Sequence, residues 1–165
     1  MIELSEEPYD TEVATSLVAA LNAEVVDRYA APGAIAAQDD ESYHAEVTPE
    51  LVSRPLGVFL VAYLAGDPAG CGALKPFDGL PGVAEVKRMY TVPAARRRGV
   101  SGAVLARLET IAWDLGYLRM QLETGTAQPE AIALYERRGW HRIEAYGPYR
   151  DSPMSVCFAK DIRSS

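Results

Sequence analysis

The stretch Met89-Tyr90-Thr91-Val92-Pro93-Ala94-Ala95-Arg96-Arg97-Arg98-Gly99-Val100-Ser101-Gly102 reads as the end of a strand, a short turn and the opening of a helix. Pro93 stops the strand because it has no N–H to give to a ladder. From Gly99 to Leu115 the apolar residues Val100, Val104, Leu108, Ile111 and Leu115 recur at steps of three or four, one stripe of an amphipathic helix. Gly116 supplies its C-terminal cap. A helix that opens on small residues leaves backbone N–H groups without an intrahelical partner, and they lie at the positive end of its dipole. This is a site for an anion: glycine lets a phosphate approach the main chain, and Arg96, Arg97 and Arg98 add charge. A basic helix start with no ligand is disfavoured, since cations oppose the dipole there.

Val83 to Val92 is the strand that leads into this junction. Before it, Leu56 to Leu64 and Cys71 to Phe77 read as a hairpin joined by the turn Gly66-Asp67-Pro68-Ala69-Gly70. Ile2 to Glu7 reads as a short strand, and about Thr11 to Tyr29 as a helix with Val13, Leu17, Leu21 and Val25 at helical spacing. The pattern is lost over residues 30–43, where Pro32-Gly33 and Gln38-Asp39-Asp40-Glu41 mark an exposed loop suited to a substrate-side flap. Thr48 followed by Pro49, Glu50 and Leu51 marks the start of a short helical turn. After the junction helix come a strand at Tyr117 to Glu123, a helix that opens with Pro129 and stops at Gly139, and strands at Trp140 to Glu144 and Ser155 to Lys160. This order predicts one mixed α/β domain over residues 1–165, with helices against both faces of a sheet.

The chain has 165 residues, 48% of them apolar, enough for one core without staples. Cys71, Cys157, His44 and His141 are too scattered for zinc-ligand spacing, so no metal is expected and both thiols are expected to be reduced and buried. Glu3, Glu6 and Glu7 stand where a signal peptide needs a basic start, and no apolar run nears the roughly 20 residues of a membrane span. The expectation is a cytoplasmic protein with no membrane partner. The net charge of -7 is unevenly divided, with -11 on residues 1–80 and +4 on residues 81–165. An anionic ligand is therefore expected on the second half, and no nucleic-acid partner is expected of so acidic a chain.

A Walker loop would need a Gly-Lys-Ser/Thr ending, and a Rossmann fingerprint three spaced glycines after the first strand; neither is present. What remains is the pyrophosphate of coenzyme A. The junction resembles the GNAT superfamily of N-acetyltransferases, whose signature is Arg/Gln-x-x-Gly-x-Gly/Ala at the start of the helix after the fourth strand. Arg96, Gly99 and Ser101 hold its three positions, with serine in place of Gly or Ala. The resemblance extends upstream through Met89-Tyr90-Thr91-Val92-Pro93. Downstream it takes in Ala131-Ile132-Ala133-Leu134-Tyr135-Glu136-Arg137-Arg138-Gly139-Trp140, similar to the family's Ala-x-x-Leu-Tyr-x-x-x-Gly-Phe region, and it spans about residues 83 to 160. Leu122-Glu123-Thr124-Gly125 and Gln128-Pro129-Glu130-Ala131 are similar to a subgroup of small bacterial members.

The resemblance implies the GNAT fold, a central mixed, mostly antiparallel sheet of six to seven strands with helices on both faces. It implies acetyl-CoA as co-substrate, held by Met89, Tyr90, Thr91, Arg96, Arg97, Arg98, Gly99, Val100, Ser101, Gly102, Gln128 and Tyr135. Gln128 stands where family members often carry Asn. It further implies direct attack of an amine on the thioester, with the oxyanion held by a main-chain N–H of the fourth strand, and a homodimer paired through sheet edges.

Each step needs a group: a base for the protonated amine, a fixed donor for the oxyanion, an acid for the departing thiolate. Tyr135 matches the family tyrosine and is the candidate acid; its plainer reading is an aromatic packing residue. Glu85, 11 positions before Arg96, is the candidate base, at a spacing that resembles the catalytic glutamate of the histone-acetylating branch. Its other reading is an ion pair with Lys87, its same-face neighbour. Lys87 and Arg88, adjacent in one strand, are expected on opposite faces, with one free to bind a substrate carboxylate or both solvated. His141 is a further candidate base, against a plainer surface position. The expected acceptor is a primary amine on a small molecule. A peptide or protein N-terminus, an antibiotic, and a GNAT-fold acyl-CoA sensor without turnover are the alternatives.

Overall fold

The computed structural model describes residues 1–29 and 46–162. The strands are β1 (Ile2–Glu6), β2 (Val58–Leu64), β3 (Asp67–Pro76), β4 (Val83–Thr91), β5 (Arg119–Gly125), β6 (His141–Ile143) and β7 (Ser155–Asp161). The α-helices among the described residues are α1 (Glu12–Arg28), α2 (Val100–Asp114) and α3 (Pro129–Arg137). The expectations for residues 30–43 and for His44 lie outside the described residues. All seven strands join one sheet in the order β1-β2-β3-β4-β5-β7-β6. Every neighbouring pair is antiparallel except β4 with β5. No helix among the described residues is long and apolar enough to cross a membrane.

Alternation along the central strands sends side chains to two cores. On one face Leu60, Ala62, Leu74 and Val86 meet the predicted stripe of α2, where Val100, Val104, Leu108 and Ile111 are buried together with Leu105 and Ala112. Each large aliphatic residue buried there contributes about 2 kcal/mol. Gly72 permits the close approach of that helix, because a Cβ there would stand 2.6 Å from Val104 Cγ1 and 2.7 Å from Met89 Sδ. On the other face Phe59, Val61, Cys71 and Ala73 pack against Ala14 and Leu17 of α1. Thr11 caps α1 by accepting from Ala14 N at 3.1 Å, and Thr48 caps the predicted turn by accepting from Leu51 N at 3.4 Å.

The β2–β3 hairpin departs from the expected one. Its turn lies at Ala65 and Gly66, both at positive φ (51° and 86°), and β3 begins at Asp67 instead of Cys71. Two residues at positive φ make the tight turn whose twist matches a hairpin. Pro68, which cannot donate to a ladder, sits opposite Tyr63 where the β2 register shifts.

Candidate active site

Strands β4 and β5 run parallel and pair at only three positions, Val83↔Arg119, Ala84↔Met120 and Glu85↔Gln121. Past Glu85 no described residue of β5 pairs with β4, so that edge of β4 offers backbone groups to another partner. Just beyond, β4 bulges. Tyr90 and Lys87, three residues apart, oppose Cys71 and Ala73, two residues apart, and Arg88 has φ 58°. A bulge bends its strand and re-aims the side chains that follow. Here it corrects the expectation that Lys87 and Arg88 face opposite ways. Arg88 Nε donates to Tyr9 Oη at 3.2 Å, and Tyr9 packs edge-on against Phe59 on the α1 face. Lys87 leaves on the same face as Glu85, 3.6 Å from its carboxylate.

A cavity of about 570 Å³ lies beside the free end of β4, between the last turns of α1, the start of α2 and one side of α3. Met89, Tyr90 and Thr91 wall it, as do Arg96, Arg97 and the run from Gly99 to Gly102. Gly99 is the N-cap of α2 at φ 83° and has no side chain to cap with. The helix ladder there begins with Ala103 N donating to Gly99 O at 3.0 Å, so the amides of Val100, Ser101 and Gly102 have no intrahelical carbonyl. A Cβ on Gly102 would approach nothing closer than Leu134 Cδ1 at 4.0 Å, which leaves the helix start open to the cavity. Amides at a helix start flanked by guanidinium groups are the donor set a diphosphate needs. Arg98 stands between the positive-φ residues Arg97 (62°) and Gly99 and is exposed, outside the cavity lining.

On the α3 side, Gln128 is the N-cap of α3 and lines the cavity, with a side chain that makes no cap hydrogen bond. Tyr135 also lines it, 4% exposed, with its ring 6.0 Å from that of Trp140 and 5.7 Å from that of Phe158. It is therefore both a packing residue and a cavity-lining one. Burial, reinforced by the charge of Glu123, raises its pKa and keeps it protonated.

Glu85 lies outside the cavity lining, 2% exposed in a polar cluster on the α1 face. Tyr146 Oη donates to its Oε2 at 2.8 Å, and Lys75 Nζ lies 3.3 Å from its Oε1. Lys87 Nζ in turn donates to Glu46 Oε2 and to Tyr149 Oη, each at 2.9 Å. Burial acts to lower the Lys87 pKa, but Glu85, Tyr149 and Glu46 outweigh it and raise the pKa. The ion pair foreseen between Glu85 and Lys87 is present, joined by a second lysine. His141 is exposed on β6 and outside the cavity lining.

A model of the acetyltransferase (GNAT) family matches residues 18–140, from the middle of α1 to the residue before β6. The chain belongs to the GNAT acetyltransferase family. It is 36% identical over 113 residues to an IAA acetyltransferase of Azospirillum brasilense, a match that covers 68% of this chain and 73% of that protein. A structure assigned as an acyl-CoA N-acyltransferase from Klebsiella pneumoniae superposes with a TM-score of 0.78 at 27% identity and covers 99% of both chains. An N-acetyltransferase of Thermoplasma acidophilum, solved in complex with coenzyme A, shares the fold at a TM-score of 0.70 and 18% identity, over 98% of this chain and 99% of that one. The parted parallel strands and the arginine-rich helix start of this GNAT chain lie within the residues that the family model matches.

Reading residue types missed Glu123 of this GNAT domain. It lies on β5 two residues past Gln121, where the strands have separated. Burial pushes its carboxyl up to about 7, with Ser155 and Lys87 acting to lower it and Glu85 and Glu46 to raise it. The same argument that singled out Glu85, a carboxylate in mid-strand, applies to Glu123 and was the available signal. Glu24 and Arg28 were missed as well; they line the cavity from α1.

Proposed function

We propose that this protein transfers the acetyl group of acetyl-CoA to a primary amine of a small molecule, by direct attack through a tetrahedral intermediate. The observation that carries the reading is that one cavity has both the uncapped start of α2 and Tyr135 in its lining. The diphosphate would bind the Val100 to Gly102 amides with Arg96 and Arg97, and the acyl end would lie against the open edge of β4. Support for the co-substrate comes from family membership and from the coenzyme complex of the Thermoplasma protein; support for a small acceptor comes from the name of the Azospirillum relative.

In this mechanism Glu123, outside the cavity lining like Glu85 but on β5 past the point where the strands part, accepts the proton of the acceptor ammonium; burial pushes its carboxyl up to about 7, which suits a base working at neutral pH. Glu85, held by Tyr146 and two lysines, braces the cluster that sets the Glu123 environment. As the N–C bond forms and the C–S bond breaks, a free N–H on β4 past Glu85 stabilises the oxyanion, Tyr135 gives its proton to the leaving thiolate, and the second proton shed by the nitrogen restores the phenol by way of water. The test is a thiol-release assay with acetyl-CoA and a panel of primary amines, beside calorimetry with coenzyme A. Binding with turnover of at least one small amine is the expected result. Binding with no turnover of any amine favours a sensor, and turnover of peptide amines alone favours an N-terminal acetyltransferase.

A further inference from the structure

The two lips of the parted sheet are tied together by side chains that line the cavity. Arg96, which follows β4, donates from Nε to Thr91 O at 3.2 Å and ion-pairs through Nη2 with Glu24 Oε2 on α1. The other oxygen of Glu24 is gripped by Arg28, from Nη2 at 2.8 Å and Nε at 3.1 Å. Arg28 Nη1 then reaches the loop after β5 and the start of α3, donating to Ala127 O at 3.0 Å and pairing with Glu130 Oε1 at 2.5 Å. The relay Arg96–Glu24–Arg28–Glu130 thus crosses from one separated strand to the other by way of the last turns of α1. All four residues line the cavity, as does the uncapped start of α2.

A carboxylate is out of place in a site for a phosphorylated ligand unless it has a task there. Guanidinium prefers phosphate, which it binds with two parallel hydrogen bonds and more charge, and a nearby carboxylate repels the same ligand. Glu24 is thus an anion already paired with the Arg96 guanidinium, in competition with any phosphate offered to it. Releasing it costs little, since a partly exposed pair of this kind is worth at most a few-fold in an equilibrium.

We infer that Glu24 is a resident counter-anion for Arg96, exchanged for the diphosphate when the ligand binds, and that this exchange couples the ligand site to the last turns of α1. The inference rests on the coenzyme reading above and adds a switch to it. When Arg96 turns to the ligand, Glu24 keeps only Arg28, and the brace between the strands is cut on the β4 side.

The probe is coenzyme A itself, titrated by calorimetry into the wild type and the Glu24→Gln variant, with hydrogen exchange followed over residues 21–29. Removing the competing charge should tighten coenzyme binding by on the order of five-fold, the upper range for such a pair. Coenzyme A should change α1 exchange in the wild type and change it less in Glu24→Gln. A Glu24→Asp variant, with a carboxylate too short to hold both arginines, should fall between. Equal or weaker binding by Glu24→Gln, at an unchanged melting temperature, would overturn the exchange and leave the coenzyme reading standing. Failure of both proteins to bind coenzyme A would remove the coenzyme reading and this inference with it.

Discussion

Tyr146 donates its phenol proton to Glu85 at 2.8 Å, and this bond ties the segment between β6 and β7 to the middle of β4. Among the described residues Glu85 is one of six buried polar or charged side chains, and it also meets the ammonium groups of Lys75 and Lys87. Tyr146→Phe removes one donor to a buried carboxylate, at a cost of roughly 1.5–3 kcal/mol. Glu85→Gln leaves two buried ammonium groups without their shared counter-charge and should cost more, about 3–5 kcal/mol. Urea denaturation of the two variants checks the ranking; a Glu85→Gln protein as stable as the wild type would show that the cluster is not a brace.

Glu123 should reveal itself in the pH dependence of stability. Its carboxyl titrates near 7 in the fold, against an ordinary value of about 4.3. Between those values the folded chain keeps a proton that the unfolded chain has released, so the contribution is fully present below about 4.3 and is lost as the pH rises through 7. Glu123→Gln cannot ionise and escapes the loss. It should be more stable than the wild type by roughly 1–3 kcal/mol at pH 8 and show no such gain at pH 4. An equal difference at both pH values would mean that Glu123 is not the titrating group. In turnover the same variant should lose the acid limb near pH 7 and fall by about 10²-fold, with coenzyme binding unchanged.

Tyr135→Phe separates packing from chemistry. The ring contacts with Trp140 and Phe158 survive the substitution, and only the hydroxyl of this cavity-lining residue is lost. The melting temperature and coenzyme affinity should stay close to wild type while the thiol-release rate falls by about 10²-fold or more. A full rate would reduce Tyr135 to its packing role.

The elements were legible because each carries its own periodicity. The α2 stripe from Val100, the α1 start near Thr11 and the Pro129 start all lie where the sequence pattern placed them. What was not legible depends on neighbours distant in sequence. Arg88 carries the positive φ of the β4 bulge, but nothing about an arginine announces a left-handed backbone, so strict alternation sent it to the wrong face. The roles of Glu85 and Glu123 turn on Lys75, Lys87, Glu46 and Tyr146, which come from β3, β4 and two connecting segments. The helix start at Gly99 was the exception, a cavity wall written in one contiguous stretch, of which the lining takes in Arg96, Arg97 and Gly99 to Gly102.

Gly102 and Gly99 offer a test in which stability and binding part company. Gly99 sits at φ 83°, where a side chain is strained, so Gly99→Ala should lose about 1 kcal/mol of stability as well as affinity. Gly102 is helical, and its Cβ would meet nothing nearer than 4.0 Å in the protein. Alanine there improves helix propensity by up to about 1 kcal/mol, so Gly102→Ala should melt at the wild-type temperature or above. Its methyl group, however, projects beside the amides that would hold the diphosphate, and coenzyme affinity should fall several-fold. Opposite signs for melting temperature and affinity in one variant cannot arise from general damage to the fold. Calorimetry showing unaltered coenzyme affinity in Gly102→Ala would place the diphosphate elsewhere.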